Sequence, residues 1–171
     1  MQLSKKVCLL GDFAVGKTSL VRRFVYSIFE DTYISTIGVK VSRKTLLIPR
    51  PGDEVELTLL LWDLAGSEEF NRMETTYLRG AAGAVLVWDL TRPETFMRLH
   101  AYHRSLLALS PQAQFVLADN KSDLVTEPGL LTREVELFCQ ENHIPYFITS
   151  AKTGLGVEEL FATLGRLLVT P

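Results

Sequence analysis

Gly11-Asp12-Phe13-Ala14-Val15-Gly16-Lys17-Thr18 follows the short apolar run Lys6-Val7-Cys8-Leu9-Leu10 and leads into an amphipathic segment. Its spacing is G-x-x-x-x-G-K-[ST], set between a strand pattern and a helix pattern, which is the context a phosphate-binding loop requires. The backbone N–H groups of Phe13, Ala14, Val15, Gly16, Lys17, Thr18 and Ser19, with the positive end of the following helix, can surround a polyphosphate. Lys17 can reach its outer charges, and the Thr18 hydroxyl suits Mg²⁺. The loop by itself does not choose GTP over ATP.

At 171 residues and 47% hydrophobic content, the chain has the size and core of one domain, covering 1–171. A net charge of −2, from 18 basic and 20 acidic residues, gives no broad attraction to nucleic acid or to an anionic membrane. Two cysteines, Cys8 and Cys139, make neither a disulfide framework nor a zinc cluster and read as buried thiols. The N-terminus lacks a signal-peptide pattern, no apolar run reaches membrane-spanning length, and Leu167-Leu168-Val169-Thr170-Pro171 carries no prenylation motif. These features lead us to expect a cytoplasmic monomer without a membrane anchor in this chain.

Beyond the loop, Leu20, Val21, Phe24 and Val25 recur at helical spacing between Ser19 and Tyr26. Residues from Phe29 to Gly38 form a turn-prone connection that could order against a ligand or simply join two elements. Val39 to Ser42 and Thr45 to Ile48 read as extended chain, Pro49 to Asp53 as a turn, and Val55 to Trp62 as the second arm of a hairpin. That arm runs into Asp63-Leu64-Ala65-Gly66, so Asp63 stands at a strand end where α/β sheets bind ligands and can share the Mg²⁺ site. Strand and helix patterns then alternate: helix over Glu68–Arg79, strand over Ala84–Trp88, helix over Glu94–Leu109, strand over Phe115–Ala118, helix over Thr132–Asn142, strand over Pro145–Thr149 and helix over Val157–Leu168. His100, His103 and His143 have no paired ligand in the sequence and fit surface or core roles.

Asn120-Lys121-Ser122-Asp123, just past a strand, addresses the base. The Asp123 carboxylate can accept two hydrogen bonds from guanine N1–H and the exocyclic amine, a donor pattern adenine lacks. Asn120 can bond the ring edge, and the Lys121 stem can lie over the base with its charge solvated.

Taken together, Gly11 to Thr18, Tyr33-Ile34-Ser35-Thr36-Ile37-Gly38, Trp62 to Gly66, Asn120 to Asp123 and Thr149-Ser150-Ala151-Lys152 make the chain resemble the Ras superfamily of small GTPases, and within it the Rab-like branch. The resemblance spans essentially the whole chain. It implies an α/β P-loop NTPase fold: a mostly parallel six-stranded sheet with one antiparallel edge strand and helices on both faces. It also implies that Thr36 joins Thr18 on Mg²⁺, that Asp63 holds the ion through water, and that Gly66 contacts the γ-phosphate. Phe29 would pack near the base, and Ala151, between Ser150 and Lys152, would read guanine O6. Loss of the γ-phosphate would release Thr36 and Gly66, so residues 29–40 and 64–80 would present GTP-dependent surfaces to protein effectors and regulators.

Four positions depart from the family pattern. Ser67 stands where Gln usually orients the attacking water, and its hydroxyl has a much shorter reach. Phe13 and Ala14 stand where small residues, commonly Gly, are usual, so a phenyl group could obstruct an arginine finger and Ala14 could strain the backbone, unless both point outward. Asp119 replaces a common Gly before Asn120. With Lys17, Thr36, Gly66 and Ser67 as the catalytic set, the expectation is a GTP/GDP switch with slow Mg²⁺-dependent hydrolysis. The alternative is a hydrolysis-deficient interaction module that stays nucleotide-bound.

Overall fold

The computed structural model describes residues 1–29, 38–64, 67–126 and 132–170, with 67–70 and 132 described by their backbone alone. Six strands are described: β1 (Gln2–Leu10), β2 (Val39–Arg50), β3 (Asp53–Leu64), β4 (Gly83–Asp89), β5 (Gln114–Asn120) and β6 (Tyr146–Ile148). The helices are α1 (Lys17–Tyr26), α2 (Ser67–Leu78), α3 (Glu94–Met97), α4 (Leu99–Leu109), α5 (Thr132–Asn142) and α6 (Val157–Val169), with a 3₁₀ turn over Ser122–Leu124.

The strands form one sheet in the order β2-β3-β1-β4-β5-β6. β2 and β3 are antiparallel, and the other neighbours are parallel. The expected sheet with a single antiparallel edge strand is therefore what the chain forms. β1 lies between β3 and β4, so the chain winds in opposite directions from it, and such a switch point places a crevice at the strand C-termini.

Alternation within the strands builds a core on each face. Val7 and Leu9 of β1 join Leu20, Val21 and Phe24 of α1 and Leu160, Phe161 and Leu164 of α6. Cys8 and Leu10 face the other way, toward Tyr77 and Leu78 of α2, Phe96 of α3, Leu99 and Leu106 of α4, and Val135 and Phe138 of α5. β4 is buried along its whole length, as a central parallel strand covered on both faces must be.

Two local expectations change. The two extended runs after Gly38 are one continuous strand of 12 residues, and Pro49 is accommodated because β2 is an edge strand with no outer partner among the described residues. In place of one helix over Glu94–Leu109, there are two helices meeting at Arg98, which keeps helical angles (φ −72°, ψ −19°). In the hairpin, Val39 pairs with Leu64 and Lys40 with Asp63.

Candidate functional site

The ends of β1, β3, β4 and β5, and the turn after β6, converge on the loop between β1 and α1. Gly11 begins that loop so close to β4 that a Cβ there would lie 2.3 Å from the Val87 carbonyl oxygen. Gly16 caps α1 in a left-handed conformation (φ 103°), and a Cβ there would lie 2.3 Å from Asn120 Nδ2. Both motif glycines are therefore required by close approach. Ala14 also adopts a positive φ, 59°, a backbone state that Gly enters more freely than a residue with a Cβ. Phe13 leaves 49% of its surface exposed, whereas Val15 is fully buried.

Lys17 and Thr18 open α1, followed by Ser19 in the same turn. The Lys17 ammonium donates to the Gly11 carbonyl at 2.7 Å. Burial lowers its pKa, and the nearby Asp63 and Asp12 carboxylates oppose that shift. Thr18 Oγ1 donates to Asp63 Oδ2, so two of the three expected metal-site residues, drawn from α1 and the end of β3, are already in contact. Both are hard oxygen donors suited to Mg²⁺. Among the described residues no cluster of three or more His, Cys, Asp or Glu side chains forms a metal cage. Mg²⁺ commonly takes one or two protein ligands and completes its shell with phosphate oxygens and water, so the donor set fits that ion. Thr36 and Gly66 lie outside the described residues, and for Ser67 only the backbone, at the start of α2, is described.

The guanine motif is braced against the phosphate loop. Asn120 Nδ2 donates to the Val15 carbonyl at 2.9 Å, and Thr149 Oγ1 donates to Asn120 Oδ1 at 3.0 Å. Lys121, itself left-handed (φ 63°), donates to the Ala14 carbonyl at 2.7 Å. Its stem therefore crosses from the base motif to the phosphate loop. Ser150 Oγ donates to Asp123 Oδ1 at 2.7 Å and accepts from the Thr153 amide at 3.1 Å, tying the motif to the turn after β6. Ala151 is buried and Lys152 exposed. Arg23 of α1 donates to the carbonyls of both, Nε to Ala151 at 2.7 Å and Nη2 to Lys152 at 2.5 Å. Phe29 is half-buried against the core beneath α1 and α6.

Several supporting residues escape a motif reading. Tyr77 of α2 is buried, and its hydroxyl reaches the Leu9 carbonyl at 3.1 Å and the Trp62 carbonyl, pinning the ends of β1 and β3 beside the site. Arg98 pairs with Asp12 at 3.2 Å, and Arg92 Nη2 donates to the Phe13 carbonyl at 2.8 Å. Asp89, at the C-terminal end of β4 as Asp63 is at the end of β3, was the only one with a positional signal.

A family model described as "Ras family" matches residues 6–170. Ras-related protein Rab-13 of Rattus norvegicus is 36% identical over 162 residues, covering 94% of this chain and 78% of that protein. The same protein of Mesocricetus auratus gives the same figures: 36% identity over 162 residues, 94% of this chain and 78% of the relative. GTP-binding protein ypt4 of Schizosaccharomyces pombe is 35% identical over 167 residues, covering 96% of this chain and 71% of the relative. With the sheet order, the loop geometry and these relatives in agreement, the chain belongs to the Ras family, as a Rab-like small GTPase.

Proposed function

We propose that this small GTPase holds Mg²⁺ with GTP or GDP across the crevice and hydrolyses GTP slowly, so that its surface reports nucleotide state for long periods. One observation carries the binding geometry. Asn120 and Lys121 of the base motif are bonded directly to the Val15 and Ala14 carbonyls of the phosphate loop, so both ends of one nucleotide meet a single braced unit. In this reading the loop amides and Lys17 bind the phosphates, and Asp123 with Ala151 selects guanine. Thr18, Asp63 and Thr36 hold Mg²⁺. When bound, the ion would neutralise negative charge on the phosphates.

Slow turnover follows from Ser67 and Phe13. The serine side chain is too short to orient water as Gln does, and a phenyl group at the phosphate loop disfavours entry of an arginine from a partner. Residues 29–40 and 64–80 then act as the surfaces that effectors and regulators read. Single-turnover hydrolysis by the purified protein is the test. The expected result is a rate below that of a Gln-bearing relative, raised on the order of tenfold in Ser67→Gln. A rate equal to the relative's and unimproved by the substitution overturns slow hydrolysis while leaving GTP binding standing.

A further inference from the structure

β4 ends on Asp89, whose side chain is only 1% exposed. Its Oδ1 accepts from the Thr91 amide at 2.8 Å and from the Thr91 hydroxyl at 2.6 Å. Its Oδ2 faces two cations, Arg92 Nε at 3.1 Å and Lys121 Nζ at 2.9 Å. Burial alone would raise the carboxyl pKa, but hydrogen bonds from Thr91, Lys121 and Arg92 more than offset it, and the group stays ionised.

Each cation has a second bond. Lys121 Nζ donates to the Ala14 carbonyl at 2.7 Å, and Arg92 Nη2 donates to the Phe13 carbonyl at 2.8 Å. One buried carboxylate thus orients two cations that take the carbonyls of two consecutive peptide groups. A trans peptide directs its C=O and N–H to opposite sides. Fixing the carbonyls of residues 13 and 14 therefore also fixes the amides of Ala14 and Val15, turned away from the cations. The stretch so held contains Ala14 at φ 59°, a state that a Cβ disfavours and that Gly would occupy freely.

We propose that Asp89 and Arg92 form a clamp that holds the phosphate loop in its anion-binding shape, and that Arg92 is a positioning residue governing how long the phosphates of a bound nucleotide are retained. The clamp rests on the nucleotide reading above, but on residues outside every motif that led to it. Arg92 suits this role because its planar fork serves the carboxylate with Nε and the carbonyl with Nη2, two donors held apart in fixed geometry, whereas an ammonium such as that of Lys121 joins two acceptors only where both lie within reach of one nitrogen. Its side chain remains 35% exposed, so substitution leaves no buried hole.

The test measures release of a fluorescent GDP analogue, with ³¹P resonances of bound GDP, for the unsubstituted protein, Arg92→Ala and Arg92→Lys. The expected result is release about tenfold faster in both variants, from loss of the charge-assisted hydrogen bond that holds the Phe13 carbonyl, with a displaced β-phosphate resonance. Full rescue by Arg92→Lys overturns the fork, and release within about twofold of the unsubstituted protein with unmoved resonances overturns the clamp. Failure of the unsubstituted protein to hold GDP overturns the nucleotide reading instead.

Discussion

Asp119 sits at 6% exposure beneath the guanine motif, one residue before Asn120. Its Oδ1 accepts from Trp88 Nε1 at 2.5 Å, but burial outweighs that bond and pushes its pKa from 3.8 up to about 7. A carboxyl whose folded pKa is raised binds more protons in the folded state than in the unfolded one between those two values. Stability therefore falls as pH rises from about 4 to about 7 and levels off above, by on the order of 4 kcal/mol if this group acted alone. Urea titrations across that window should show this slope, and Asp119→Asn should flatten it. The sequence marked Asp119 as a departure from Gly, but its titration depends on burial among elements packed around β5, opposed by the bond from Trp88 of the neighbouring strand, neither of which linear spacing reveals. The same holds for Arg92 and Phe13, which meet across 79 positions. Lys17, Thr18, Asp63, Asn120 and Asp123 could be named as candidates from the sequence because short motifs carry them, and the fold brings their elements to one rim of the sheet.

Among the elements, α1 and α6 form one unit on a single face of the sheet. The Phe24 and Phe161 rings stack at 4.1 Å with planes 9° apart, and Arg23 of α1 spans to the turn preceding α6. Phe161 is fully buried, so Phe161→Ala should cost about 3–5 kcal/mol and lower the denaturant midpoint by a corresponding amount. Because α1 carries Lys17 and Thr18, that variant should also release nucleotide faster. Periodicity located both helices, since Leu20, Val21 and Phe24, like Leu160, Phe161 and Leu164, repeat on one stripe. Periodicity did not find the break at Arg98, where both flanking segments keep the same apolar face, with Phe96 and Leu99 buried on either side. Nor did it find the continuity of β2, because Arg43 and Lys44 interrupt an apolar pattern that hydrogen bonding to β3 carries through.

Across the whole molecule, both cores deliver their strand ends to one rim, so a ligand there should stabilise the fold as a unit. GDP with Mg²⁺ at about a hundredfold excess over its Kd should raise the melting temperature by about 5–10 °C. ADP should leave it unchanged, and chelation of the metal should reverse most of the gain. An equal response to ADP would remove guanine selection. The mostly parallel six-stranded sheet with one antiparallel edge strand was legible through the family resemblance that the motifs carry, whereas the order β2-β3-β1-β4-β5-β6 emerges only from the strand pairing.

The pairing of Val39 with Leu64 places the exits toward residues 30–37 and 65–66 on facing residues of the same ladder. Those segments are far apart in sequence yet share an anchorage. The antiparallel rung between Val39 and Leu64 makes the two strand ends one mechanical unit, so neither shifts without disturbing the other. A partner that grips Val39 at the start of β2 thereby also restrains Leu64 at the end of β3.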